Sequence, residues 1–189
     1  MKIKNPEKKK MMENKKGSIS TAAPSSVSRR KQRWDEDCQS CQAVQGLITL
    51  SNTPRVFETA HWTVEHMNHT IIKGWLILTV KRHCRAIHDL TRVEADELGK
   101  LLPLVCRALH VTMKTECEYI MQLAEGEGFH HVHFHIVARM SDWPEELRGR
   151  RVFDGVGMGI KNPLSTEELL PLTLKIREYL KEHYLDSQT

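Results

Sequence analysis

The chain has no apolar run near the roughly 20 residues that a membrane-spanning helix needs, and its N-terminus lacks the apolar segment of a secretory signal. Both absences predict a soluble, cytoplasmic protein. Acidic and aromatic residues are scarce at one end. Residues 1–33 hold 11 Lys and Arg against Glu7 and Glu13, with no aromatic before Trp34, while the remainder holds 17 basic against 22 acidic residues. A segment of that composition buries too little apolar surface to repay its ordering, so 1–33 reads as a disordered basic tail. Its acid-free stretch 17–33 is Ser- and Arg-containing like an organelle transit segment, but the lysine-rich start with Glu7 and Glu13 does not fit one. The acidic balance of the body excludes a nucleic-acid-binding surface on charge, leaving only the tail for such a partner. Five cysteines, an odd number without an export signal, argue against a disulfide framework and for thiols or metal ligands.

There is no internal repeat and no regular βαβ alternation. What remains, residues 34–189, is long enough for one domain with a real core. Strands are predicted at 56–58, at 62–65, where Trp62 and Val64 alternate with Thr63 and Glu65, and at 75–80. Thr91 and Glu94 have capping-box spacing ahead of Leu98, Leu101, Leu102, Val105, Leu109 and Met113 at helical steps. Pro103 removes a backbone donor and predicts a kink or break near Leu102. A strand follows at 119–123, and Gly126 and Gly128 turn the chain into an apolar run through Ala138. Residues 141–163 read as an irregular connector able to cover a site. Ser165 and Glu168 form a second capping box, with Pro171 predicting a later helix start than that cap implies. Strands, a long helix, more strands and a final helix indicate an α+β domain with a mainly antiparallel sheet.

Within that last strand, His131-Val132-His133-Phe134-His135 is the most chemically specific feature. Alternation along a strand gathers the three imidazoles on one face and leaves Val132, Phe134 and Ile136 for the core. Two chemistries suit such a face. Three neutral imidazoles can hold a catalytic metal with an open position. Alternatively, one imidazole attacks phosphorus while its neighbours orient it and donate to phosphate oxygens, with Arg139 and the amides around Gly126 and Gly128 facing the charge. Cys38 and Cys41 form a Cys-x-x-Cys that fits free thiols, a redox pair or a zinc site, although no thioredoxin-like βαβ frame surrounds it. His130 should face away from His131.

The run His131 to Val137 matches the pattern His-φ-His-φ-His-φ-φ and resembles the histidine triad superfamily of nucleotide hydrolases and transferases. The likeness extends upstream through Lys73 to His83 and Asp89-Leu90-Thr91, and downstream through Ala138-Arg139, covering 38–139 and leaving 140–189 as an extension. It implies a five-stranded antiparallel sheet with a long helix packed on it and a C-terminal helix, a homodimer, and a nucleotide substrate cleaved at the α-phosphorus. The diadenosine polyphosphate hydrolase-like branch is the expected one, with dinucleoside polyphosphates as substrates. By the same resemblance His133 is the nucleophile that forms a nucleotidyl-histidine intermediate, and His135 contacts the phosphate. The resemblance also implies that Cys38, Cys41, His83 and His131 hold a structural zinc, and no organic cofactor is expected. Trp75, Gly126, Gly128 and Arg139 complete the expected nucleotide-binding set. Three departures stand out: Gly74-Trp75 replaces the common Gly-His, the pre-triad loop carries Glu125 and Glu127, and Val80 and Ala138 occupy frequent proline positions. The first two raise the alternative of a nucleotide-binding or interaction protein with little turnover.

Overall fold

A computed structural model describes residues 34–184; the expected basic tail, 1–33, lies outside the described residues, as do 185–189. The described part opens with a short helix, α1 (Gln39–Val44), built on the Cys-x-x-Cys, which the sequence pattern did not reveal. Five strands follow in chain order, interrupted by one helix: β1 (Phe57–Glu58), β2 (Trp62–His66), β3 (Trp75–Val80), α2 (Arg92–Met113), β4 (Cys117–Met121) and β5 (His133–Arg139). A last helix, α3 (Thr166–His183), closes the described chain. The strands form one sheet in the order β1-β2-β3-β5-β4, antiparallel at every pairing. Among the described residues, no helix is long and apolar enough to cross a membrane.

Alternation divides the sheet into two faces. Val64, Leu76, Leu78, Phe134 and Ile136 point toward α2 and α3 and join Leu101, Val105, Leu109, Ile176 and Leu180 in the main core. Both predicted capping boxes form, at Thr91 with Glu94 and at Ser165 with Glu168. The expected break at Pro103 does not occur, and α3 starts at its cap despite Pro171. The reason is exposure. Pro103 and Gly99, four residues earlier, both face solvent, where water can satisfy the freed carbonyl. Gly99 is also open around its α-carbon.

The opposite sheet face carries Trp75, Ile77 and Thr79 of β3 beside Val137, His135 and His133 of β5. One end of this face is covered by the predicted connector, which folds into two 3-10 turns at Glu145–Leu147 and Gly149–Gly155. Val152 packs there with Ile72, Trp75 and Val137 in a second small core, with Phe153 and Trp143 against it. The connector is pinned to the 69–72 loop by Thr70 Oγ1 donating to the Gly155 carbonyl at 2.9 Å and by the Gly157 amide donating to the His69 carbonyl at 2.9 Å. Gly74, at φ +77°, lets β3 enter this crowded region, because a Cβ there would lie 2.5 Å from Met113 Sδ and 2.8 Å from Ala138 Cβ.

Candidate functional site

The ladder of β5 begins at His133, so His131 lies just beyond it rather than on the shared strand face. Its ring is fully buried. His131 Nε2 lies 2.6 Å from the Val80 carbonyl, which can only accept, so Nε2 carries the proton and Nδ1 is bare. That bare nitrogen is 3.4 Å from Cys38 Sγ and 3.5 Å from Cys41 Sγ, and His83 Nδ1 is 3.3 Å from Cys41 Sγ. The four ligand atoms all fall within 4.8 Å of one another. A tetrahedral zinc with ordinary bond lengths separates sulfur from nitrogen by about 3.5 Å, so these residues fit a metal ion. Their chemistry agrees. Burial holds His131 neutral, with its pKa lowered to about 4, as a metal-binding imidazole must be, and pushes the Cys41 thiol up to about 12, so that a bound cation would be needed to hold it as a thiolate. Asp35 Oδ2 sits 3.6 Å from the other ring nitrogen of His83, the position of an outer partner that orients a metal-binding imidazole.

His133 and His135 are separate from this cluster. The reading in which all three triad histidines hold one metal is therefore corrected: among the described residues, the group able to bind a metal pairs His131 with Cys38, Cys41 and His83. Local bonding explains the divergence, since His133 Nδ1 is tied to the His131 carbonyl at 2.7 Å and His135 Nδ1 to the Trp75 indole at 3.1 Å. Because a carbonyl only accepts, His133 Nδ1 bears the proton and Nε2 keeps its lone pair. Burial lowers the pKa of this ring, an effect opposed by the bond to the His131 carbonyl. The two rings are 5.1 Å apart, edge to face.

Both rings line a cavity of about 650 Å³ whose other walls include Gln39, Val44, Thr79, Ala124, Phe129 and Met158. Such a volume is typical of small-molecule sites. Among the described residues no Lys or Arg lines it, whereas Glu65 and Glu125 do. Glu65 is engaged by Arg55 at 2.9 Å. A larger cavity of about 710 Å³, between residues 43–58 and α3, contains none of the triad.

The remaining expected contacts fall in different places. Gly126 lines the cavity, but Gly128 does not; its carbonyl receives the Gln39 amide at 2.9 Å and its α-carbon faces the Gln39 side chain. Arg139 also lies outside it, with Nε donating to Cys117 Sγ at 3.2 Å and the guanidinium 3.7 Å from Glu116. Trp75 is fully buried and reaches no cavity surface, so it offers no face to a nucleobase. His130 is exposed, as the alternation predicts. Sequence reasoning missed Phe153, whose ring lies 5.7 Å from His135 and 5.6 Å from Trp75. Its one signal was the apolar Val152-Phe153 pair inside a Gly- and Arg-rich connector.

No family model and no curated protein matches the sequence. Solved structures do. A HIT-like protein of Bartonella henselae described as involved in cell-cycle regulation is 21% identical, covering 79% of this chain and 100% of that one with a TM-score of 0.59. A hypothetical histidine triad nucleotide-binding protein of Sulfolobus tokodaii is 17% identical over 77% of this chain and 93% of its own, also at 0.59. The fold is that of the histidine triad proteins. A third histidine triad structure, a zinc-bound family protein of Mycobacterium smegmatis, is 17% identical over 80% and 97% of the two chains at 0.55. The α+β architecture expected from the sequence is thus observed, with the triad fold's sheet and helices.

Proposed function

We propose that this protein transfers or hydrolyses nucleotidyl groups through attack of His133 Nε2 on the α-phosphorus, forming a nucleotidyl-histidine that water then cleaves. One observation carries the reading: the central ring is anchored by Nδ1 to a backbone carbonyl, which leaves an unprotonated Nε2 for a cavity of nucleotide size. Attack forms the N–P bond as the leaving group departs with its electron pair, and hydrolysis restores the free imidazole. His135, beside it in the same wall, is placed to contact the phosphate.

The cavity lining supports a substrate carrying one phosphate between nucleoside and leaving group, such as a nucleoside phosphoramidate or an acyl adenylate. A dinucleoside polyphosphate would bring several negative charges to walls that, among the described residues, contain Glu65 and Glu125 and no Lys or Arg. The same lining keeps the alternative of nucleotide binding without turnover in view. We further propose that Cys38, Cys41, His83 and His131 hold zinc as a closed structural site, supported by their spacing and by the donor set. In that place the ion would tie α1, which walls the cavity, to the strand that carries His133. The expected homodimer is carried forward as a proposal too, β4 having an unpaired outer edge among the described residues.

Trapping decides the mechanism. Mixed with an excess of an adenosine phosphoramidate and quenched in alkali, the protein should gain the mass of one adenylyl group, mapped by peptide sequencing to His133 and absent in His133→Ala. AMP binding without any adduct or turnover, on phosphoramidate, acyl adenylate and dinucleoside polyphosphate alike, would leave the binding-only reading.

A further inference from the structure

Trp75, expected from the sequence to contact the nucleotide, has another partner in the structure. Its indole N–H donates to His135 Nδ1 at 3.1 Å, with the rings 5.8 Å apart and nearly perpendicular. An indole nitrogen can donate and never accept, so Nδ1 of His135 must present its lone pair. A neutral imidazole has only one other nitrogen for its proton. Burial, and then the neighbouring His133, lower the pKa of His135 to about 4, so the ring is neutral near pH 7.

We propose that Trp75 is a positioning residue that fixes the proton of His135 on Nε2, making that ring a permanent hydrogen-bond donor to the cavity. The assignment rests on the nucleotidyl-transfer reading for its purpose, though not for its geometry. His133 and His135 then carry opposite tautomers side by side. A carbonyl acceptor behind His133 turns its lone pair outward, and an N–H donor behind His135 turns its proton outward. The first suits attack on phosphorus, and the second suits the charge that develops on the phosphate oxygen. A histidine at position 75 could serve the neighbouring ring as donor or acceptor, whereas tryptophan removes that freedom. Phe153, edge-on to both rings, and the complete burial of Trp75 exclude water that would otherwise compete for the bond.

Long-range proton–nitrogen NMR of the ¹⁵N-labelled full-length protein at pH 7 reads the tautomer directly. Wild type should show His135 wholly as the Nε2–H form, Trp75→Phe a mixture of the two forms, and Phe153→Leu, which keeps the indole donor, the single form. Nδ1–H in wild type overturns the proposal without any variant, and so does a Trp75→Phe protein that keeps the pure Nε2–H form. On an adenosine phosphoramidate, Trp75→Phe should lower kcat with KM little changed, by less than the roughly 100-fold that loss of an oxyanion donor costs. A wild type with the expected tautomer and no turnover would sink the nucleotidyl-transfer reading and leave the assignment of Trp75 standing.

Discussion

Replacing Glu94 with Gln should remove a block of stability that exists at neutral pH and vanishes in acid. Glu94 sits in the first turn of α2, only 3% exposed, and receives Arg82 Nε at 2.8 Å, Arg82 NH2 at 2.7 Å and the Thr91 amide at 2.7 Å. Burial alone would raise its pKa, but the Arg82 and Thr91 hydrogen bonds outweigh that and hold it at about 2, against an ordinary 4.5. A carboxyl whose folded pKa is depressed stabilises the fold fully above its unfolded value and loses that contribution as pH falls toward the folded one. The window here runs from 4.5 down to about 2, and the gap is worth roughly 3 kcal/mol. Urea unfolding of wild type and Glu94→Gln, stepped from pH 7 to pH 2, measures it. The difference between the two chains should be roughly 3 kcal/mol at pH 7 and shrink toward zero near pH 2. Loss in acid of the proposed zinc would affect both chains and cancel. A difference that stays constant over the whole range would refute the reasoning, since the loss would then owe nothing to the ionised carboxylate.

Cys41→Ser should leave the purified protein without stoichiometric zinc and with a lower melting temperature; zinc content equal to wild type by elemental analysis would remove Cys41 from the site. Leu109→Ala, at a fully buried position between α2 and the sheet, should cost roughly 2–5 kcal/mol in urea unfolding, with AMP affinity retained because Leu109 lies in the core rather than in the cavity wall.

Much of the fold was legible because its signals are local. The alternation of Trp62 with Val64, the mostly apolar run of β3 and the two capping boxes each depend on residues a few positions apart, and all appear where the pattern placed them. The break read at Pro103 and the later start read at Pro171 did not follow because the cost of a proline depends on solvent access at the residue four positions earlier, which no periodicity records. The histidines show both outcomes. Their spacing marked a distinctive segment, yet the separation of His131 from His133 depends on a ladder that begins one residue after Val132.

From the linear chain alone came the α+β architecture, the alternating histidine segment and, through resemblance, the grouping of Cys38 and Cys41 with His83 and His131. Only the folded molecule decided which nitrogen bears the proton in His131 and in His135, since that follows from partners distant in sequence: the Val80 carbonyl for His131 and the Trp75 indole for His135. It also withdrew Arg139 and Trp75 from the cavity and brought Phe153 against His135. Side-chain chemistry is written residue by residue, but the direction of a hydrogen bond is a property of the pair, and pairs exist only after the chain has folded.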